Sequence, residues 1–149
     1  MATIPLPQDF KEFLQLLNDH EVEYLLVGAY AVNFHGYVRS TGDIDVWVRV
    51  SPENSLRIVD ALIAFGFSAN STKAEAFLDP NRIVQIGFPP FRIDILMSVS
   101  GLEFSHCHAN RVEAELGGVK VCLLRLDDLK TNKLASGRLK DLNDLEHLP

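Results

Sequence analysis

The stretch from residue 28 to residue 48, Gly-Ala-Tyr-Ala-Val-Asn-Phe-His-Gly-Tyr-Val-Arg-Ser-Thr-Gly-Asp-Ile-Asp-Val-Trp-Val, decides the fold. It follows a short apolar segment, residues 24–27, which predicts a β-strand that ends at Gly28. Residues 29–34 predict a helix. Residues 43–50 carry the β-branched alternation of a second strand. The order is therefore strand, glycine turn, helix, loop and strand.

Two carboxylates occupy the start of the second strand, at positions i and i+2. Asp43 and Asp45 therefore point to the same face, roughly 6.5–7 Å apart along the strand. Such a pair repels unless a cation lies between the two groups. Mg²⁺ takes oxygen ligands and keeps coordination positions open for phosphate. For this pair alone, carboxylates that simply face water at a strand end remain the alternative.

Two further features favour a functional site. Asp94 is a lone carboxylate in an apolar strand pattern, which is costly unless it is exposed at an edge or paired with a cation. If the two strands are neighbours, three carboxylates converge. Gly28 stands at a strand-to-helix turn, where free N–H groups and the helix dipole attract anions and phosphate can approach the backbone closely. A plain turn glycine is the alternative there.

Two polar residues precede the aspartate pair in the loop. Arg39 and Thr41 are placed to contact a phosphate or a carboxylate, with a solvated loop or a salt bridge to Asp43 as the alternative. In the C-terminal part, Leu142 and the leucines at 145 and 148 recur at a spacing of three and predict the buried stripe of the last helix.

The remaining chain predicts alternating helices and strand pairs. Asp9 is the predicted cap of a first helix that ends near Asp19, and Ser51-Pro52 begins a helix that ends at Gly66. That helix is expected to bury Leu56, Val59, Leu62 and Ile63. Strand pairs follow at 83–97 and 111–123, and two helices close the chain at about 126–135 and 139–148. The order predicts a single α+β (α/β) domain over residues 1–149, with a mixed β-sheet and helices packed mainly on one side.

Composition limits the classes of function. The chain has 149 residues and a net charge of −6, which argues against broad, nonspecific binding to nucleic acid but leaves a local nucleotide pocket open. The longest mainly apolar stretch is too short to cross a bilayer, which takes about 20 residues. The N-terminal residues lack the basic and apolar regions of a signal peptide. A cytoplasmic protein without a membrane partner is expected.

These motifs together resemble a known superfamily. A strand that ends in glycine, a helix, an Asp-x-Asp pair and a third aspartate on a later strand are typical of the DNA polymerase β-like nucleotidyltransferases. The chain is similar to their small bacterial and archaeal members, which include minimal nucleotidyltransferases and relatives of abortive-infection toxins. The segment from Lys133 to Leu145 also resembles the ending of the toxin group, so the resemblance covers nearly the whole chain. Ala29 departs from the family's Gly-Gly or Gly-Ser pair, because it offers a backbone N–H but no hydroxyl.

The resemblance implies a nucleotidyltransferase fold and a metal-dependent activity. Mg²⁺ or Mn²⁺ would assist transfer of a nucleoside monophosphate from a nucleoside triphosphate to a hydroxyl of a protein, an RNA end or a small molecule. The implied metal ligands are Asp43, Asp45 and Asp94, the implied catalytic residues are these three and Lys133, and the implied nucleotide-binding residues are Gly28, Ala29, Arg39, Thr41 and Asp141.

Three interpretations stay open at this point. The first is the enzyme, with or without a role in a toxin–antitoxin pair. The second is a catalytically degenerate module of the same fold that binds a nucleotide or a protein partner. The third is a scaffold with an incidental aspartate pair, which predicts that Asp94 lies far from Asp43. For Lys133 and Asp141, a solvated charged helix face is the alternative to a role at the triphosphate.

Overall fold

A computed structural model describes residues 6–38, 41–88 and 90–149, which contain six strands and six α-helices. The strands are β1 (Tyr24–Val27), β2 (Asp43–Val48), β3 (Ile83–Phe88), β4 (Phe91–Leu96), β5 (Val112–Leu116) and β6 (Val119–Leu123). The helices are α1 (Gln8–Asp19), α2 (Gly28–Phe34), α3 (Pro52–Phe65), α4 (Phe104–Ala109), α5 (Leu126–Ser136) and α6 (Leu139–His147), with a 3-10 helix at Ala74–Phe77.

The strands form one mixed sheet in the order β3-β4-β2-β1-β6-β5. Strand β1 is antiparallel to β2 and parallel to β6, and β2 is parallel to β4. The outer pairs β3–β4 and β5–β6 are antiparallel hairpins. The predicted α+β class and mixed sheet are therefore confirmed. The parallel pairing of β2 with β4 matters most for the site, because it joins two distant aspartate segments.

The apolar core lies on both faces of the sheet. Along β1, Tyr24 and Leu26 belong to one buried cluster, while Leu25 and Val27 belong to another. The two longest helices, α1 and α3, pack into the first cluster. Residues of α2, α4 and α5 cover the other face, because β1 is apolar on both sides. Within the described ranges, no helix is long and apolar enough to span a membrane.

The start of α1 and the buried face of α3 differ from the predictions. Helix α1 begins at Gln8, so Asp9 lies one position inside the first turn and is not the cap. Ser51 does cap α3, accepting a hydrogen bond from the Asn54 amide. Leu56 and Ile63 are exposed, whereas Ile58 and Ala61 are buried.

A polar anchor explains the orientation of α3. The Asn54 side chain accepts from the Glu23 amide and donates to the carbonyls of Glu23 and Arg49. These three hydrogen bonds tie the first turn of α3 to the ends of β1 and β2. The helix is thereby rotated so that Ile58 and Ala61, rather than Leu56, face the sheet.

Candidate active site

The sheet brings the three predicted carboxylates to one face. Asp45 on β2 pairs in register with Asp94 on β4, and Asp43 pairs with Arg92. Neighbouring strands lie about 4.8 Å apart, so paired side chains on one face are in reach of each other. The incidental-pair interpretation predicted that Asp94 lies far from Asp43, and that prediction is wrong, because Arg92 Nη2 contacts both carboxylates.

These carboxylates line one wall of a cavity of about 650 Å³. Gly28, Ala29 and Thr41 lie along the same wall, and residues of α5 and α6 form the facing wall. The cavity includes these predicted site residues: Gly28, Ala29, Thr41, Asp43, Asp45, Asp94, Lys133 and Asp141. The remaining one, Arg39, lies outside the described residues.

Arg92 binds two of the three carboxylates. Its Nε donates to Asp94 Oδ1 at 2.8 Å and its Nη2 donates to Asp94 Oδ2 at 3.1 Å. The same Nη2 reaches Asp43 Oδ2 at 3.3 Å. The contact of Arg92 with Asp94 is therefore bidentate, which is the strong geometry for an arginine and a carboxylate. Sequence analysis missed Arg92, although its position two residues before Asp94 on the same strand places it on the same face.

Asp45 differs because no hydrogen bond or ion pair reaches its carboxylate from the described part of the chain. Burial raises the pKa of Asp45 to about 6, and the nearby charge of Asp94 adds to the rise. Lys140 and Lys133 lower that pKa only in part. The ionised form of Asp45 therefore carries a charge that this arrangement does not balance.

Gly28 makes room for Asp45. Its backbone has a φ of +64°, in the region that favours glycine, and a Cβ there would lie 2.1 Å from Asp45 Oδ2. No Cβ tolerates such a distance without a shift of the carboxylate. The predicted role of Gly28 was a close approach of phosphate to the backbone. The structure adds a second reason for glycine at this position, because a side chain there would collide with the Asp45 carboxylate.

Thr41 and Ala29 support the backbone of this wall. The Thr41 hydroxyl donates to the Asp43 carbonyl at 3.1 Å and lies 3.2 Å from the Asp43 amide, which donates to it. The hydroxyl thus fixes the chain where β2 begins. Ala29 is buried in the first turn of α2, and its backbone belongs to the helix start that faces the cavity.

The facing wall contains a buried ion cluster. Lys133 is only 3% exposed and its Nζ lies 2.9 Å from Asp141 Oδ1 and 3.1 Å from Asp144 Oδ2. Both aspartates are buried on the inner face of α6, while Leu142 is exposed. The solvated charged face is therefore wrong for these residues, and the predicted leucine stripe holds only in part, because Leu148 is buried whereas Leu142 is exposed. The ammonium of Lys133 explains why, since it allows the aspartates to face inward.

Asp141 is the centre of this cluster. Its carboxylate also accepts hydrogen bonds from the Ser136 hydroxyl and from Arg138 Nε, the latter at 2.8 Å. Burial alone would raise the pKa of Asp141. The hydrogen bonds from Ser136, Lys133 and Arg138 outweigh it and hold the pKa at about 2. Asp141 therefore remains ionised and well paired, in contrast to Asp45.

The donor set of the sheet wall fits a hard cation in chemistry. Carboxylate oxygens are the ligands that Mg²⁺ and Mn²⁺ prefer, and Asp45 lacks a balancing charge. In the present arrangement, however, no group of three His, Cys, Asp or Glu side chains among the described residues is placed to hold a metal ion. Arg92 provides the reason, since its guanidinium already contacts Asp94 and Asp43. A cation at Asp45 would have to compete with Arg92 for a second carboxylate.

Known proteins resemble the chain at the level of family and fold. A crystal structure from Thermotoga maritima, of a protein provisionally assigned as a nucleotidyltransferase, superposes with a TM-score of 0.60 at 16% sequence identity. The match covers 91% of this chain and 86% of that chain, and at this identity it shows the fold alone. No match was found among the curated proteins. A family profile matches residues 6–148, and the chain therefore belongs to the family described as nucleotidyltransferase of unknown function (DUF6036).

Proposed function

We propose that this protein transfers a nucleoside monophosphate from a nucleoside triphosphate to a hydroxyl acceptor. The observation that carries the proposal is the register of β2 and β4, which sets Asp45 beside Asp94 on one wall of a cavity with lysine and arginine side chains on the facing wall. A nucleoside triphosphate with a bound cation matches this cavity, because its phosphates suit the basic side chains and its cation suits the carboxylates.

Asp43, Asp45 and Asp94 are the proposed metal ligands, with Mg²⁺ or Mn²⁺ as the cofactor. When bound, the cation would neutralise phosphate charge and favour ionisation of the attacking hydroxyl. The unbalanced charge of Asp45 supports this assignment, because a partly buried carboxylate with no partner in the described chain gains most from a cation. Asp43 and Asp94 would exchange part of their contact with Arg92 for the cation.

The reaction itself is a substitution at the α-phosphorus. The acceptor oxygen forms a bond to the α-phosphorus, the bond to the bridging oxygen of the β-phosphate breaks, and pyrophosphate leaves. The proton of the acceptor hydroxyl passes to a carboxylate of the Asp45–Asp94 pair. The protein contributes mainly by positioning and by charge, because the bond changes need no covalent intermediate with a side chain.

The acceptor is proposed by class only: a protein hydroxyl, an RNA end or a small molecule. The net charge of −6 disfavours a large RNA unless a protein partner supplies basic surface. A role in a toxin–antitoxin pair stays a prediction from the sequence resemblance. Co-expression with the product of a neighbouring gene, followed by a growth assay with wild type and Asp45→Asn, would test it.

A transfer assay tests the central proposal. Purified protein is incubated with each α-labelled nucleoside triphosphate and Mg²⁺ or Mn²⁺, first alone and then with separate protein, RNA and small-molecule fractions of a lysate. Asp45→Asn serves as the matched variant, because it keeps the shape of the side chain and removes its charge. We expect cation-dependent transfer of label by wild type and none by the variant. Absence of both transfer and nucleotide binding would overturn the proposal.

A second function has one observation in its favour. Arg92 already binds Asp94 and Asp43, which favours a module that binds a nucleotide without transferring it. The same assay separates the two functions when it is paired with equilibrium binding. Saturable binding of a nucleoside triphosphate with no transfer, in any fraction, would support the non-catalytic module.

A further inference from the structure

The cations around the cavity are not equivalent. Arg92 contacts Asp94 and Asp43, Lys133 contacts Asp141 and Asp144, and Arg138 contacts Asp141. Each of these side chains already has a carboxylate partner.

Lys140 is the exception among the cavity-lining cations of the described chain. Its side chain makes no ion pair or hydrogen bond within residues 6–38, 41–88 and 90–149, and the residue is exposed. It nevertheless lines the same cavity as Asp43, Asp45 and Asp94. An exposed ammonium that lines a cavity together with carboxylates is free to bind an anion that enters.

We infer that Lys140 is the residue that binds the phosphate chain of the substrate, and that Lys133 is a positioning residue that fixes α6 through Asp141 and Asp144. This inference rests on the proposed function, since it assigns the group that receives the triphosphate. It also differs from the sequence prediction, which gave that task to Lys133 and Asp141.

The geometry of Lys133 explains the division of roles. An ammonium has three donor positions, and Lys133 directs two of them at buried carboxylates. Leaving those carboxylates for a phosphate would remove the ammonium that Asp141 and Asp144 share inside the protein, which is costly. Lys140 can bind a phosphate without this cost, because it has no ion-pair partner to leave among the described residues.

The position of Lys140 suits a chain of phosphates. It follows Arg138 and Leu139 at the start of α6, directly before Asp141, whose carboxylate is fixed from three sides. Its backbone is therefore held firmly while its side chain stays free. A triphosphate held through a cation at Asp45 on the sheet wall would meet this ammonium from the facing wall.

Calorimetry of the binding of inorganic tripolyphosphate in the presence of Mg²⁺ tests the inference without knowledge of the base or the acceptor. The variants are Lys140→Ala and Lys140→Arg, with Lys120→Ala as the matched control because Lys120 is exposed on β6 and lies away from this cavity. We expect Lys140→Ala to weaken binding about ten- to a hundredfold, the usual effect of one charge-assisted hydrogen bond. Lys140→Arg should retain most of the affinity, and Lys120→Ala should bind as wild type does.

A parallel measurement with the nucleoside triphosphates and the corresponding nucleosides adds a second readout. The Lys140→Ala defect should appear with the triphosphates and be absent with the nucleosides. Wild-type affinity of Lys140→Ala for tripolyphosphate would overturn the inference alone. Failure of wild type to bind tripolyphosphate or any nucleoside triphosphate would overturn both this inference and the proposed function. Binding that depends on Lys140 without any transfer of label would overturn only the proposed transfer reaction.

Discussion

Aspartates of the sheet and Asp141 of α6 line the same cavity, but their charges are balanced in different ways. On the helix wall, Asp141 is surrounded by Lys133, Ser136 and Arg138, and its pKa falls to about 2. On the sheet wall, burial and the charge of Asp94 raise the pKa of Asp45 to about 6. The same residue type thus ends with opposite pKa shifts, because cations contact Asp141 directly, whereas none contacts Asp45 among the described residues.

The difference separates a structural group from a functional one. A paired buried cluster holds two helices together and has little affinity left for a ligand. An unbalanced carboxylate in a cavity makes the empty protein less stable and becomes favourable when a cation or substrate binds. We therefore expect loss of charge in the helix cluster to destabilise the fold, and loss of the Asp45 charge to stabilise the metal-free protein and to weaken ligand binding.

The largest effect should come from Lys133→Met, which keeps the length of the side chain and removes the charge. Asp141 and Asp144 would lose their shared ammonium inside the protein. The free energy of unfolding should fall by about 3 kcal/mol, the lower end for breaking a buried ion pair, because Arg138 and Ser136 still contact Asp141. Urea denaturation monitored by circular dichroism measures it.

Lys140→Met is the control for that measurement. It removes a charge from the same helix pair at an exposed position, so its stability should change by less than about 0.5 kcal/mol. Equal losses for the two variants would contradict the contrast between a structural lysine and a ligand-facing lysine.

The sequence predicted the sheet group far better than the helix group. Alternation along β2 places Asp43 and Asp45 on one face, and an aspartate in an apolar strand is costly wherever that strand lies. The parallel pairing that sets Asp94 beside Asp45 depends on the whole sheet, so the prediction could state the neighbourhood of the two strands only as a condition.

The helix group could not be predicted in the same way. Leucines at a spacing of three in α6 indicate a buried stripe by periodicity, yet Asp141 and Asp144 occupy the inner face. A buried carboxylate becomes acceptable only when a partner from another helix is present, and local sequence does not identify that partner. The same limit explains why Lys140 was overlooked, since its importance depends on which of its neighbours are already paired.

A smaller effect is expected at Gly28, where the sheet group touches the backbone. Gly28→Ala places a Cβ 2.1 Å from Asp45 Oδ2 at a φ of +64°. Strain and the displaced carboxylate together should cost about 2 kcal/mol of unfolding free energy. In an Asp45→Ala background, the loss should shrink to the backbone part, about 1 kcal/mol. An equal loss of stability in both backgrounds would show that the new Cβ at position 28 does not clash with the Asp45 carboxylate.

The smallest effect has the opposite sign and tests the comparison most directly. Asp45→Asn should make the metal-free protein more stable at pH 7.5, by about 1–2 kcal/mol after allowance for partial access to solvent. The folded-state pKa of Asp45 is raised above its ordinary value of about 3.9. The folded protein therefore binds the extra proton between about pH 4 and pH 6, and stability is lost as the pH rises through about 6. The gain from Asp45→Asn should accordingly vanish near pH 4.

Thermal unfolding at both pH values, repeated at pH 7.5 with Mg²⁺ and a nucleoside triphosphate, provides the measurement. With these ligands wild type should gain stability and the variant should not. The difference in stability between the two proteins should therefore narrow or change sign. A variant that is less stable than wild type at pH 7.5 without ligands would mean that the charge of Asp45 is balanced after all.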